Sequence, residues 1–186
     1  MFELDGNNNI VAEYFHGPGI DEPIAMIRNN QTYYYHADGL GSIIAITDAT
    51  GNVVQRYEYD SFGNITYQQD ANFKQPYTYT GREYDNESGL YYYRARYYDA
   101  KVGMFISEDP IGFDGGDVNF FAYVGNNPIN YTDPTGEYAA AIGQVLIRIG
   151  PRIGAALAGL AQAALVPFSL CHPMSARSRV RLVIRR

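Results

Sequence analysis

Tryptophan is absent from these 186 residues, cysteine occurs once, as Cys171, and only 18% of the chain is charged. A single cysteine excludes an internal disulfide framework and a multi-cysteine zinc site. His16, His36 and His172 stand singly, without the spacing of metal ligands. No glycine loop of the phosphate-cradling kind opens a helix, and Asp114-Gly115-Gly116-Asp117 reads as a turn rather than a calcium loop. Neither a metal nor a cofactor is therefore expected. Met1 is followed by Phe-Glu-Leu-Asp instead of basic residues and an apolar core, so no signal peptide is expected to open this chain.

Tyrosine and glycine take the place of what is missing. Tyr is 18 and Gly 19, and 16 of the tyrosines lie between Tyr33 and Tyr131. That aromatic content excludes a disordered body. The Tyr, Gly, Asn, Asp and Thr of residues 1–136 differ equally from the Ala, Leu, Glu and Lys of a helical bundle. Charge divides the chain as well. Residues 1–136 carry 19 acids and 7 bases, a net of −12, whereas residues 137–186 carry Glu137 and 7 arginines, a net of +6. An acidic body, 1–136, and a basic tail, 137–186, are thus read separately, and the sign of the body argues against nucleic-acid binding there.

Turn signals punctuate the body at short intervals, among them Asp5-Gly6-Asn7, Asn29-Asn30, Thr50-Gly51-Asn52, Phe62-Gly63-Asn64 and Ser88-Gly89. Glycine and asparagine adopt positive φ most easily and so mark tight hairpins. Between them lie runs of β-branched and aromatic residues: Ile10–Phe15, Thr32–His36, Ser42–Thr47, Val53–Tyr59, Tyr77–Thr80 and Leu90–Tyr98. Short strands spaced this way predict an antiparallel all-β meander. Within Val53–Tyr59, a face carrying Val53, Tyr57 and Tyr59 alternates with one carrying Arg56 and Glu58, the period of a half-buried strand. The segment also repeats: Tyr57-Glu58-Tyr59-Asp60-Ser61-Phe62-Gly63-Asn64 is echoed weakly from Asp5 to Tyr14. One hairpin buries too little to stand alone, so such units must stack, with tyrosine rings as core and hydroxyls reaching backbone or water.

The unit Tyr57-Glu58-Tyr59-Asp60-Ser61-Phe62-Gly63 resembles the Tyr-Asp repeat of bacterial Rhs proteins and of the teneurin YD shell. It is followed in order by Tyr79-Thr80-Gly81-Arg82-Glu83-Tyr84-Asp85, by the stretch Gly89 to Asp99, by Phe105-Ile106-Ser107-Glu108-Asp109-Pro110-Ile111-Gly112, by Asn119 to Pro128, and by Asp133-Pro134-Thr135-Gly136. This ordered set is similar to the Rhs repeat-associated core domain. The resemblance implies a curved antiparallel β-hairpin sheet belonging to a hollow spiral shell that encloses the protein's own C-terminal polypeptide. It also implies closure of one shell end and, in many members, an aspartyl autoprotease that cuts after Asp-Pro-x-Gly. Matched position by position, Asp109 and Asp133 are the catalytic aspartates, Arg96 the arginine beside them, and Gly136-Glu137 the cleavage point. Two carboxylates held close cannot both ionise, so one is a base for water while its protonated partner polarises the scissile carbonyl, and an adjacent arginine can hold one carboxylate ionised. Glu137 departs from the pattern, since cleaving relatives carry an apolar residue there.

Plainer roles fit the same residues. Asp-Pro-x-Gly is a ready turn, Arg96 can be the structural partner of an acidic neighbour such as Asp99, and Arg94 reads as a solvated strand position. Two functions therefore stand side by side: a shell-closing module of a polymorphic toxin with self-cleavage, or a non-catalytic remnant serving as an interaction or cell-surface module. The partners implied are other Rhs segments and an immunity protein. The tail is expected to form an α-helical region over 139–171, with a basic end at 172–186. Its uncharged run Ile153–Cys171 has 19 residues, close to a bilayer span, so membrane contact by a delivered peptide is a third reading.

Overall fold

One loop chemistry, used four times, organises the first half of the protein. In the computed structural model, which describes residues 1–141, Asp5, Asp38, Asp48 and Asp60 each close a hairpin in the same manner. The aspartate N–H bonds the carbonyl of the residue four positions on, and Oδ1 accepts the N–H groups of the residues two and four positions on, all at 2.8–3.0 Å. The residue before the last takes positive φ: Asn8, Gly41, Gly51 and Gly63. An Asx turn supplies the acceptors that a tight loop otherwise lacks. At Asp48, where the Thr50 hydroxyl and the Asn52 amide add side-chain bonds that favour the ionised form, the carboxyl is brought down to about 2. Its side-chain resonance is expected to titrate near that value in an acid NMR series; a midpoint near that of a free aspartate would mean the loop is open in solution.

These loops, the Asn29-Asn30 turn and the turn after His16 join β1 (Phe2–Leu4), β2 (Ile10–His16), β3 (Pro23–Arg28), β4 (Gln31–Ala37), β5 (Ile43–Asp48), β6 (Val53–Tyr59) and β7 (Ile65–Gln68) into one antiparallel sheet in sequence order. At five of its six pairings the register skips one residue just after the connecting loop: Val11, Ile24, Ile44, Val54 and Thr66. Each is β-branched, and each is the extra residue of a bulge, which bends its strand and increases its twist. The inner face packs Ala12, Tyr14, Met26, Tyr35, Ile43, Ile46 and Tyr57 against Tyr77. In β6 that face is Gln55, Tyr57 and Tyr59, while Val53 is 36% exposed. The bulge at Val54 shifts Val53 out of the expected alternation. Buried Gln55 bonds both the N–H and the carbonyl of Asp70 and so fastens the loop after β7.

A second, four-stranded sheet follows: β8 (Glu83–Asp85), β9 (Leu90–Tyr93), β10 (Arg96–Asp99) and β11 (Met104–Phe105), in the order β11-β10-β9-β8. The expected single strand Leu90–Tyr98 is two strands, because Arg94 takes φ 59° and turns the chain. The expected strand Tyr77–Thr80 is also not formed. Tyr77 makes only an isolated bridge to Glu83, and Tyr79–Gly81 is a 3₁₀ turn with Thr80 at φ 49°. The core of this sheet is aromatic: Tyr79, Tyr91, Tyr93, Tyr98, Phe105 and Tyr123, mostly edge-on. Such ring pairs add about 0.5–1.5 kcal/mol each beyond their buried area. Three of the hydroxyls, of Tyr79, Tyr98 and Tyr91, donate to the successive carbonyls of Ser61, Phe62 and Gly63. The Asp60 loop is thereby plugged into the second core, against the ring of Tyr79, where Gly63 leaves no room for a Cβ.

Two short strands, β12 (Tyr131–Thr132) and β13 (Ala140–Ala141), pair antiparallel around the Asp133–Gly136 loop. Where the helical tail was expected to begin, Ala140–Ala141 is strand. The rest of that expectation, helix to residue 171, basic end and membrane contact, lies outside the described residues. The described part is all-β, with antiparallel sheets and no α-helix among the described residues.

Candidate active site

Asp109 and Asp133 each open an Asp-Pro-x-Gly segment, and each spends one carboxylate oxygen on folding it. Oδ1 of Asp109 accepts the Ile111 N–H at 3.0 Å, and Gly112 follows at φ 56°. Oδ1 of Asp133 accepts the N–H groups of Thr135, Gly136, Glu137 and Tyr138 at 2.8–3.3 Å. The turn reading therefore holds for one oxygen of each residue. The other oxygens converge: Oδ2 of Asp109 lies 2.9 Å and Oδ2 of Asp133 3.5 Å from the same nitrogen, Nη2 of Arg96.

Arg96 reaches this point from the start of β10, and every part of its guanidinium is engaged. Nε donates to the carbonyl of Gly136 at 2.6 Å, Nη1 donates to the carbonyl of Phe120 at 2.8 Å, and the plane lies 3.7 Å from the ring centre of Phe105. Burial pulls its pKa down while the two carboxylates oppose that pull. Asp99, the neighbour expected as its partner, instead receives the Lys101 N–H in the next turn. Asp133 is the more enclosed aspartate, its side chain 3% exposed against 9% for Asp109. Burial raises the Asp133 carboxyl above the usual range, against the opposing pull of its backbone donors and of Arg96. Burial thus favours a retained proton on Asp133.

The Gly136–Glu137 peptide bond is held at both ends. Its carbonyl oxygen takes the Arg96 Nε–H, and its N–H bonds Asp133 Oδ1 at 3.2 Å. Gly136 sits at φ 75°, with Tyr93 O occupying the space a Cβ would need and Arg96 N only 3.1 Å from that point. Beside the bond lies a cleft of about 30 Å³ lined by Arg96, Asp109, Asp133 and Glu137, enough for a water molecule. Gly115 keeps one wall low: a Cβ there would come 2.8 Å from Asp109 Oδ2.

All five residues matched by resemblance, Asp109, Asp133, Arg96, Gly136 and Glu137, thus meet in one place. Gly115 and the Phe120 carbonyl were not anticipated. The shared Asp-Pro-x-Gly pattern at 109–112 and 133–136 was the available sign that the two aspartates form equivalent loops. Arg94 is a correction. It is a turn residue, and its guanidinium bonds Asp21 and the carbonyl of Pro134.

A meander of Asx-closed hairpins around tyrosine, ending on two facing Asp-Pro-x-Gly loops, defines an Rhs-associated YD-shell module. The chain belongs to the teneurin YD-shell family, whose model matches residues 21–129. It is 41% identical over 143 residues to the tRNA nuclease WapA of Bacillus subtilis (strain 168), covering 74% of this chain and 6% of that protein. It is 34% identical over 113 residues to the double-stranded DNA deaminase toxin A of Burkholderia cenocepacia (strain H111), covering 59% of this chain and 8% of the toxin. The crystal structure of TcdB2-TccC3 superposes with a TM-score of 0.60 at 25% identity, covering 69% of this chain and 7% of that one. The module is therefore related to those of polymorphic toxins, and the chain spans less than a tenth of each of these relatives.

Proposed function

We propose that this body is the shell-closing core module of a polymorphic toxin and cuts its own chain between Gly136 and Glu137 as an aspartyl protease. The observation that carries the reading is the convergence on one guanidinium of both aspartate Oδ2 atoms and of the Gly136 carbonyl oxygen. A water in the cleft attacks the Gly136 carbonyl carbon, and Asp109, the more open acid, takes its proton. Arg96 Nε–H stabilises the oxyanion as charge develops on the oxygen it already contacts. The C–N bond then breaks, and the Glu137 nitrogen leaves with the proton of the Asp133 carboxyl. The products are a Gly136 carboxylate and a Glu137 amine. Arg96, and not a protonated aspartate, is the group on the carbonyl oxygen.

The segment beyond the cut is the polypeptide the shell would contain. The two edges of the first sheet, β1 and β7, are the places where further shell segments would pair. Glu137 supports the alternative of a non-catalytic interaction module, because it puts a third acid beside Asp109 and Asp133 in the cleft. Intact mass measurement of the purified chain over several days separates the two. Self-cleavage yields a fragment ending at Gly136 and a new amino terminus at Glu137, whereas a chain that stays whole is the interaction module.

A further inference from the structure

Asp21, on the loop between β2 and β3, stands far from the cut in sequence and carries two arginines. Its Oδ1 takes Arg82 Nη1 at 2.5 Å and Arg94 Nη2 at 2.6 Å, and its Oδ2 takes Arg94 Nη1 at 3.1 Å. Arg82 is fixed independently, by donating to the carbonyl of Tyr92. Arg94 is not. It projects from a left-handed turn position, an uncommon conformation for a residue with a side chain, and among the described residues its guanidinium bonds, beyond Asp21, the Pro134 carbonyl. The turn that bears it also meets the Asp133 loop directly, through Ala95 N–H to Thr135 O at 3.2 Å and through the bare Cα of Gly136. A cavity of about 90 Å³, lined by Ile20, Asp21, Leu40, Gly41, Thr132 and Pro134, separates the β2–β3 loop from the Asp133 loop. The Arg94 guanidinium bridges that gap, from Asp21 to the Pro134 carbonyl.

We propose that Asp21 is a positioning residue for the Gly136–Glu137 bond: it fixes the Arg94 guanidinium, which holds the Pro134 carbonyl and keeps the Asp133–Gly136 loop seated on Arg96. The cut itself rests on the function proposed above; the clamp does not. A planar guanidinium can bond a carboxylate in bidentate fashion and still reach a third acceptor, which a lysine ammonium cannot do in that geometry. Displacement of a reacting bond by about 1 Å is enough to slow a positioned reaction by about 100-fold.

Two measurements on the full chain test the clamp. In Asp21→Asn the first-order rate of cutting, followed by mass, is expected to fall by about 10- to 100-fold, with partial rescue in Asp21→Glu. The alkaline limb of its pH–rate profile is expected to move upward, because Asp133 loses the lowering influence of a well-seated Arg96. Read on the uncut chain, the amides of Gly136, Glu137 and Tyr138 are expected to exchange at least about tenfold faster in Asp21→Asn, while those of β4 keep their wild-type protection. Arg94→Lys, which leaves the Arg82–Asp21 pair intact, is expected to do the same and serves if Asp21→Asn fails to fold. Unchanged exchange at these three amides overturns the clamp, and so does a wild-type rate with an unshifted profile. A wild-type chain that never cuts overturns the proposed function instead, and amide exchange then decides the clamp alone.

Discussion

Asp133→Asn is expected to lower the rate of self-cleavage by about 10²–10⁴-fold, the usual contribution of a positioned acid, without unfolding the loop it sits in. The amide keeps an oxygen where Oδ1 accepts four backbone N–H groups, but it holds no acidic proton for the Glu137 nitrogen. Asp109→Asn is expected to block the cut as completely. It is the harsher change, since an amide nitrogen at the Oδ2 position would stand about 2.9 Å from Arg96 Nη2. The pH dependence of stability tests the role of Asp133. Burial raises the folded-state pKa of Asp133 above its ordinary value of 3.8. Its protonated form therefore supports the fold fully below that value, and the support is lost as pH rises through the raised folded pKa. Asparagine has no such loss, so the melting temperature of Asp133→Asn relative to wild type should climb as pH rises from below 3.8 through the raised folded pKa. A flat difference would mean that Asp133 is ionised throughout, and the proton-donor role would go with it.

The hairpins were legible in the sequence because their determinants are local. An aspartate, a positive-φ residue three positions on and a β-branched residue after the loop all lie within one short stretch. Asn29-Asn30 announced its turn in the same way. The failures have local causes of another kind. Leu90 to Tyr98 contains no glycine, proline or asparagine to mark a turn, and Arg94 takes positive φ in the two-residue turn that pairs Tyr93 with Arg96. Thr80 is held in its left-handed turn by Ser42 Oγ, which accepts its N–H, and by the Tyr93 hydroxyl. Both anchors are remote in sequence, so no pattern within Tyr77–Thr80 could have shown them. Likewise, alternation placed Val53 inward because a bulge leaves no mark in a run of β-branched residues. The candidate site shows the same division. Each Asp-Pro-x-Gly loop is written locally, whereas Arg96, with acids nearer to it in sequence, is matched to its partners only by the stacking of β9, β10 and the loops beyond. Resemblance to a family supplied that pairing where the physics of short segments could not.

Arg96 carries both the structure and the chemistry, and the two roles come apart at low pH. In Arg96→Met the guanidinium's bonds to the carbonyls of Gly136 and Phe120 disappear, and the two buried acids are left facing each other without a cation. Removing one partner of a buried ion pair destabilises by about 3–5 kcal/mol, so the midpoint in urea should drop sharply at neutral pH. At acid pH Asp133, whose burial already favours the neutral carboxyl, can take up a proton, and part of the loss should return. Adding Asp109→Asn and Asp133→Asn to Arg96→Met should recover stability at neutral pH too, because the uncompensated charges are then gone. Cutting, by contrast, should stay absent from Arg96→Met at the acid pH where the fold has recovered, since nothing then polarises the Gly136 carbonyl as the oxyanion forms. A refolded Arg96→Met that cut at the wild-type rate would reduce the arginine to a counter-ion and hand the carbonyl oxygen to one of the aspartates.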